Sequence, residues 1–110
     1  PEPEPEPEFI RAGAILNYNS NERIMGVGKE ILVDGKNNYS GQILAIRLVE
    51  IYITGTEYSG KFEIFNSGGE RLDREVIEAG QDVVFYDSIG DEIGVDAFIT
   101  AKQFFISATG

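Results

Sequence analysis

Gln42-Ile-Leu-Ala-Ile-Arg-Leu-Val-Glu-Ile-Tyr-Ile-Thr54 is the longest apolar run in the chain. It holds no Gly or Pro and is rich in β-branched residues, so it reads as a long strand. A helix is the alternative, because periodicity alone does not separate the two in a short apolar run. The Ile and Val content and the Thr54-Gly55-Thr56 stop favour the strand. Counted with a strict period of two, Leu44, Ile46, Leu48 and Tyr52 share one face. Ile43, Ala45, Val49, Ile51 and Ile53 share the other. Apolar residues on both faces predict a central strand covered on both sides. The second covering comes either from a bend that carries part of the run into another sheet or from a neighbouring chain. Arg47, the one base of the run, is expected to face a carboxylate.

The 110 residues fit one domain with a genuine core. The chain has no cysteine and no histidine. Without cysteine there are no disulfides, thiolate metal sites or cysteine nucleophiles. Without histidine the usual general base at neutral pH and the commonest transition-metal ligand are gone. The composition therefore argues against an enzyme. The formal charge is -10, from 19 acids and 9 bases. Such a surface repels a phosphate backbone and an anionic bilayer, which argues against nucleic acid and membrane partners. It attracts cations, Ca²⁺ above all, or a basic partner. No run approaches the ~20 apolar residues of a membrane helix, so no membrane insertion is expected. A chain opening at Pro1 reads as a mature processed form.

Residues 1–8 are four Pro-Glu repeats, predicted to be an extended polyproline tail of on the order of 25 Å, and residues 9–110 one domain. Residues 9–16, Phe-Ile-Arg-Ala-Gly-Ala-Ile-Leu, read as a strand directly behind this stiff tether. That strand either pairs in its own sheet or adds to the edge of another subunit. Asn17-Tyr-Asn-Ser-Asn21 is a turn. Residues 23–33 form one strand, or two short ones bent at Gly26 and Gly28. Gly26 and Gly28 do not make a nucleotide loop, because the third glycine and the following helix are missing. Further strands are predicted over 58–65, 71–77, 82–86, 95–100 and 102–108, separated by Gly-, Asn- and Asp-rich turns. The fold class is all-β: an antiparallel β-sandwich of eight to nine strands, immunoglobulin-like or jelly-roll-like.

Four carboxylates, Asp87, Asp91, Glu92 and Asp96, crowd one predicted turn. They read either as a solvated acidic turn or as a Ca²⁺ site without EF-hand spacing. Asn38-Tyr39-Ser40 is a glycosylation sequon on a predicted loop. Tyr18, Tyr39, Tyr58 and Tyr86 fall at strand ends, where tyrosines serve as surface anchors or as a platform for sugar rings. Phe104 and Phe105 alternate on one strand, so one ring is core and the other faces outward unless the strand is central. An outward ring is a natural subunit contact. No sequence feature selects a glycosidase carboxylate pair or a serine nucleophile with a base.

The run Gly60-Lys-Phe-Glu-Ile-Phe-Asn-Ser-Gly-Gly-Glu70, followed by Glu78-Ala-Gly-Gln81, resembles immunoglobulin-like modules of archaeal cell-surface proteins, including surface-layer proteins and extracellular filament subunits. The likeness covers about residues 28–100. It implies a structural role at the cell surface and carries no catalytic residues. A long apolar N-terminal helix, as in archaeal pilins, is absent from this sequence. The resulting expectation is a non-enzymatic extracellular protein that binds copies of itself or another cell-surface protein. Phe9, Ile10, Ile15, Leu16, Phe104 and Phe105 are the expected subunit contacts, and Ca²⁺ is the one cofactor the acidic turn invites. The rival is a monomeric Ca²⁺- or sugar-binding module of a larger envelope protein.

Overall fold

A computed structural model describes residues 12–106. The Pro-Glu repeats, Phe9 and Ile10 lie outside the described residues. Seven strands follow in order: β1 (Ala12–Tyr18), β2 (Asn21–Gly26), β3 (Glu30–Asp34), β4 (Ile43–Thr54), β5 (Glu57–Phe65), β6 (Arg71–Glu78) and β7 (Ile99–Ile106). A 3-10 turn, Asn37–Tyr39, interrupts the link from β3 to β4. Every pairing among these strands is antiparallel. One sheet has the order β2-β1-β7 and the other β3-β4-β5-β6. The two pack as a sandwich, with β1 against β4 and β7 against β5.

The local chemistry explains the connections. Asn19 and Ser20 both have positive φ, at 49° and 71°, the backbone of a tight hairpin turn whose twist suits its strands. Asn19 also accepts the Phe98 N–H through its side chain, at 2.8 Å. The chain changes sheets at Val27-Gly28-Lys29, as the glycines at 26 and 28 lead one to expect. Gly28 adopts φ +87° there and donates its N–H to the Leu48 carbonyl at 2.7 Å.

Between the sheets lie Leu16, Met25, Leu44, Ile46, Leu48, Phe62, Ile64 and Phe104, all buried. The Phe62 and Phe104 rings cross the layer with centroids 6.1 Å apart. Among the described residues no polar or charged side chain is fully buried. The core is therefore an apolar slab with polar groups kept at its rim.

Within this chain β4 is covered on one side, and no bend carries it into the other sheet. The strand is central in its sheet, but only one of its faces is core. A β-bulge breaks the strict alternation: Leu48 pairs with Phe62, Glu50 with Lys61, and Val49 between them has no partner. One extra residue reverses every side chain beyond it. Ile51 thus packs against the core, and Tyr52 turns to the other face, where its hydroxyl donates to Glu50 at 3.1 Å. The outer face keeps Ile43, Ala45 and Arg47 with no covering layer among the described residues. Arg47 meets its carboxylate within the chain, Glu30 at 3.1 Å.

The strand count is also corrected, from eight or nine to seven among the described residues. Residues 82–86 and 95–98 form no named strand and hold only isolated bridges, Asp82 with Thr100, Tyr86 with Glu92 and Gly35 with Val95. They belong to an irregular crossing, residues 79–98, that runs from β6 in one sheet to β7 in the other. Val83, Phe85 and Ile93 still reach the core from it. Side-chain burial there is strand-like, while the backbone finds partners only at separate points.

Candidate functional site

The feature best suited to recognition is the outer edge of β7. This strand ends its sheet, so one row of its backbone groups faces away from β1. The first half of that row is occupied. Gly80 donates to the Ala101 carbonyl at 2.6 Å, Ala101 to Gln81 at 2.9 Å and Val83 to Ile99 at 2.9 Å. Beyond Ala101 no described residue pairs with that edge. The bulge in the β1–β7 pairing falls at the same place, where Ile15 meets Gln103 and Leu16 meets Ala101.

A groove of about 580 Å³ runs along this open half. Tyr58, Phe104 and Ile106 supply apolar surface, while Glu57, Glu78 and Gln103 supply polar groups. Phe104 is held from below by Phe62 and is nearly fully buried, whereas Ile106 is 47% exposed. An open strand edge beside a small apolar groove can do one thing well. It can take an extended peptide, binding its main chain by ladder hydrogen bonds and its alternate side chains in the groove. The carboxylates of Glu57 and Glu78 favour a peptide with a basic residue.

A second polar feature lies at the other edge. Asp73 and Glu75 of β6 pair with Ile64 and Phe62, so both carboxylates sit on the core-facing side of an edge strand. Asp73 accepts the Tyr86 N–H at 2.7 Å, tying β6 to the irregular crossing. Burial, a hydrogen bond shared with Asp73 and that neighbour's charge push the Glu75 carboxyl up to about 6. Inward charge on an edge strand also discourages edge-to-edge pairing on that side.

In the acidic turn two of the carboxylates are engaged within the chain. Asp87 turns its carboxylate onto its own backbone, accepting the N–H groups of Ile89 at 3.0 Å and Asp91 at 2.9 Å. Asp96 pairs with Lys36 at 3.5 Å. Among the described residues no group of three or more acids is placed to hold a metal ion. Asp91 and Glu92 stay exposed. Asn38 is exposed on the 3-10 turn. Three of the tyrosines, Tyr18, Tyr39 and Tyr58, pack against the core, and Tyr86 is exposed on the crossing.

The expected subunit contacts divide. Leu16 and Phe104 are 1% and 4% exposed, committed to this domain's own core. Ile15 and Phe105 are half-buried on the outer face of their sheet, Phe105 close above Gly13. β1 is paired within its own sheet, at its centre. The open half of β7 is not foreseen by the sequence. Sequence shows that a strand exists, but its place at an edge depends on strand order.

No family model, no curated protein and no solved structure matches this chain.

Proposed function

We propose that this chain is a non-enzymatic, extracellular structural module that associates with copies of itself by strand addition, building a filament or surface layer. One observation carries the reading: the open half-edge of β7 beside its apolar groove. The segment ahead of β1 is chemically suited to it, since Phe9 and Ile10 are apolar and Arg11 is basic. With β1 holding the centre of its own sheet, the donor narrows from residues 9–16 to residues 9–11 and the tail before them. On this reading the Pro-Glu repeats serve as the lead toward a neighbour. The seven strands in three-on-four layers favour the immunoglobulin-like form over an eight-strand jelly roll. The resemblance to archaeal surface modules supports a cell-surface role, and the lack of histidine and cysteine supports a non-enzymatic one.

The test is truncation ahead of Ala12. Chains beginning at Ala12 should fold with unchanged circular dichroism and stay monomeric in negative-stain images, while the full chain forms polymers. A full chain that is monomeric at all concentrations would instead favour a single binding module of a larger envelope protein.

A further inference from the structure

The outer face of the β3-β4-β5-β6 sheet reads, across its strands, as charge rows that complement themselves. Directly opposed residues form the row Glu30–Arg47–Glu63–Arg74, one from each strand. The next row is Glu50–Lys61–Val76 on β4, β5 and β6. On the other side lies Leu32–Ala45–Phe65–Arg71. Within the copy, Arg47 is paired with Glu30, Lys61 with Glu50, and Arg71 with Glu63. Leu32, Ile43 and Val76 are 63%, 54% and 53% exposed on this face.

We propose that this face docks onto the same face of a second copy, about a two-fold axis parallel to the strands and lying between β4 and β5. That axis reverses each row. Acid-base-acid-base reversed is base-acid-base-acid, so Glu30 meets Arg74 of the second copy and Arg47 meets Glu63. Glu50 meets Lys61 in the same operation. In the apolar row the small Ala45 meets the large Phe65, the pattern by which two sheet faces interdigitate about 10 Å apart. A two-fold axis along the rows would lay Glu on Glu and Arg on Arg, so the charges select one orientation.

Charge balance names the partner. The chain carries -10, and two copies repel over most of their surfaces. With Asp34, which lies beside Ile43, this face carries four acids, Glu30, Asp34, Glu50 and Glu63, against four bases, Arg47, Lys61, Arg71 and Arg74. Two copies approach here without that repulsion. Four strands and about eight residues along them cover roughly 500 Å² per copy, or about 1,000 Å² in all, the low end of specific interfaces. The dimer is therefore weak and weakened by salt. It is separate from strand addition, because none of these residues lies on β7 or ahead of β1.

The absence of cysteine makes the test clean. Full-length Leu32→Cys and Arg71→Cys chains, whose positions meet across the axis while each lies three strand spacings from its own counterpart, are mixed and treated with a short bis-maleimide. The mixture should cross-link severalfold more than either chain alone, and Arg47→Glu in both should reduce the yield by about tenfold. Reversing all four charges of the first row should restore pairing between two such variants, but not with the parent chain. Equal yields in mixed and unmixed samples, or a yield indifferent to Arg47→Glu, would overturn the proposal. Truncation ahead of Ala12 removes strand addition and should leave this cross-link intact, so each idea fails by its own readout.

Discussion

Gly60 lies directly beneath the ring of Phe104. A methyl group on Gly60 would overlap the ring edge of Phe104 and come within 3.1 Å of Leu48. Gly60 and Phe104 belong to different sheets, and the missing side chain of one makes room for the other. Gly60 is thus required for the layer spacing at the floor of the β7 groove.

Gly60→Ala should therefore destabilise the domain by about 1–3 kcal/mol, the usual cost of overpacking. Urea unfolding measures it. Adding Phe104→Leu should return part of the loss, so the two changes are non-additive in a double-mutant cycle.

Ile106→Lys should leave the fold within about 0.5 kcal/mol, because the side chain is half exposed. It places a charge beside the open backbone row and should abolish polymerisation. Negative-stain imaging and a thermal melt of the same sample give both answers. Polymers of normal length would remove β7 as the acceptor.

The Glu75 carboxyl should contribute more stability in mild acid than at neutral pH. Its carboxyl titrates at about 6 in the folded chain, against an ordinary value of 4.5. Between those values the folded chain binds more protons than the unfolded one. Stability from this group therefore falls as pH rises through the window and stays lower above it. Glu75→Gln should raise the melting temperature above pH 6 and make no difference below pH 4.5. Asp73 adds to the effect by repelling the charged form, and Asp82 shares the same surface groove with Glu75. A variant with the parent's pH dependence would show that Glu75 does not sense its surroundings.

Asp87→Ala should cost about 1–2 kcal/mol, since two turn N–H groups lose their acceptor. Asp87→Asn keeps a carbonyl oxygen in place and should recover most of it. Hydrogen exchange at Ile89 and Asp91 reports the loss locally, and a calcium role would instead show as a metal-dependent melting temperature in the parent chain.

Strand identity is plain in residues such as Ile43 to Thr54 and in the charge alternation of Lys61 and Glu63. Inside and outside are less legible. A strict period of two puts Ile51 and Tyr52 on the wrong faces, because a bulge at Val49 leaves no mark in composition. Val83 and Phe85 alternate like a strand and are buried like one, yet their backbone has no continuous neighbour. The open edge of β7 is hidden for a related reason. Gln103-Phe104-Phe105-Ile106 is apolar whether central or terminal, and strand order is a property of the whole chain.

The bulge makes β4 a strand with two reading frames. Removing Val49 would close the bulge and leave the addresses alone: Leu48 and Glu50 already pair with the neighbouring residues Phe62 and Lys61, so Ile51 stays against the core and Tyr52 stays outside. Deleting a regular residue such as Ile46 instead turns one half of the strand over relative to the other. Val49 is thus a spare link in β4, the position at which a one-residue gap costs a local twist and no side chain changes face.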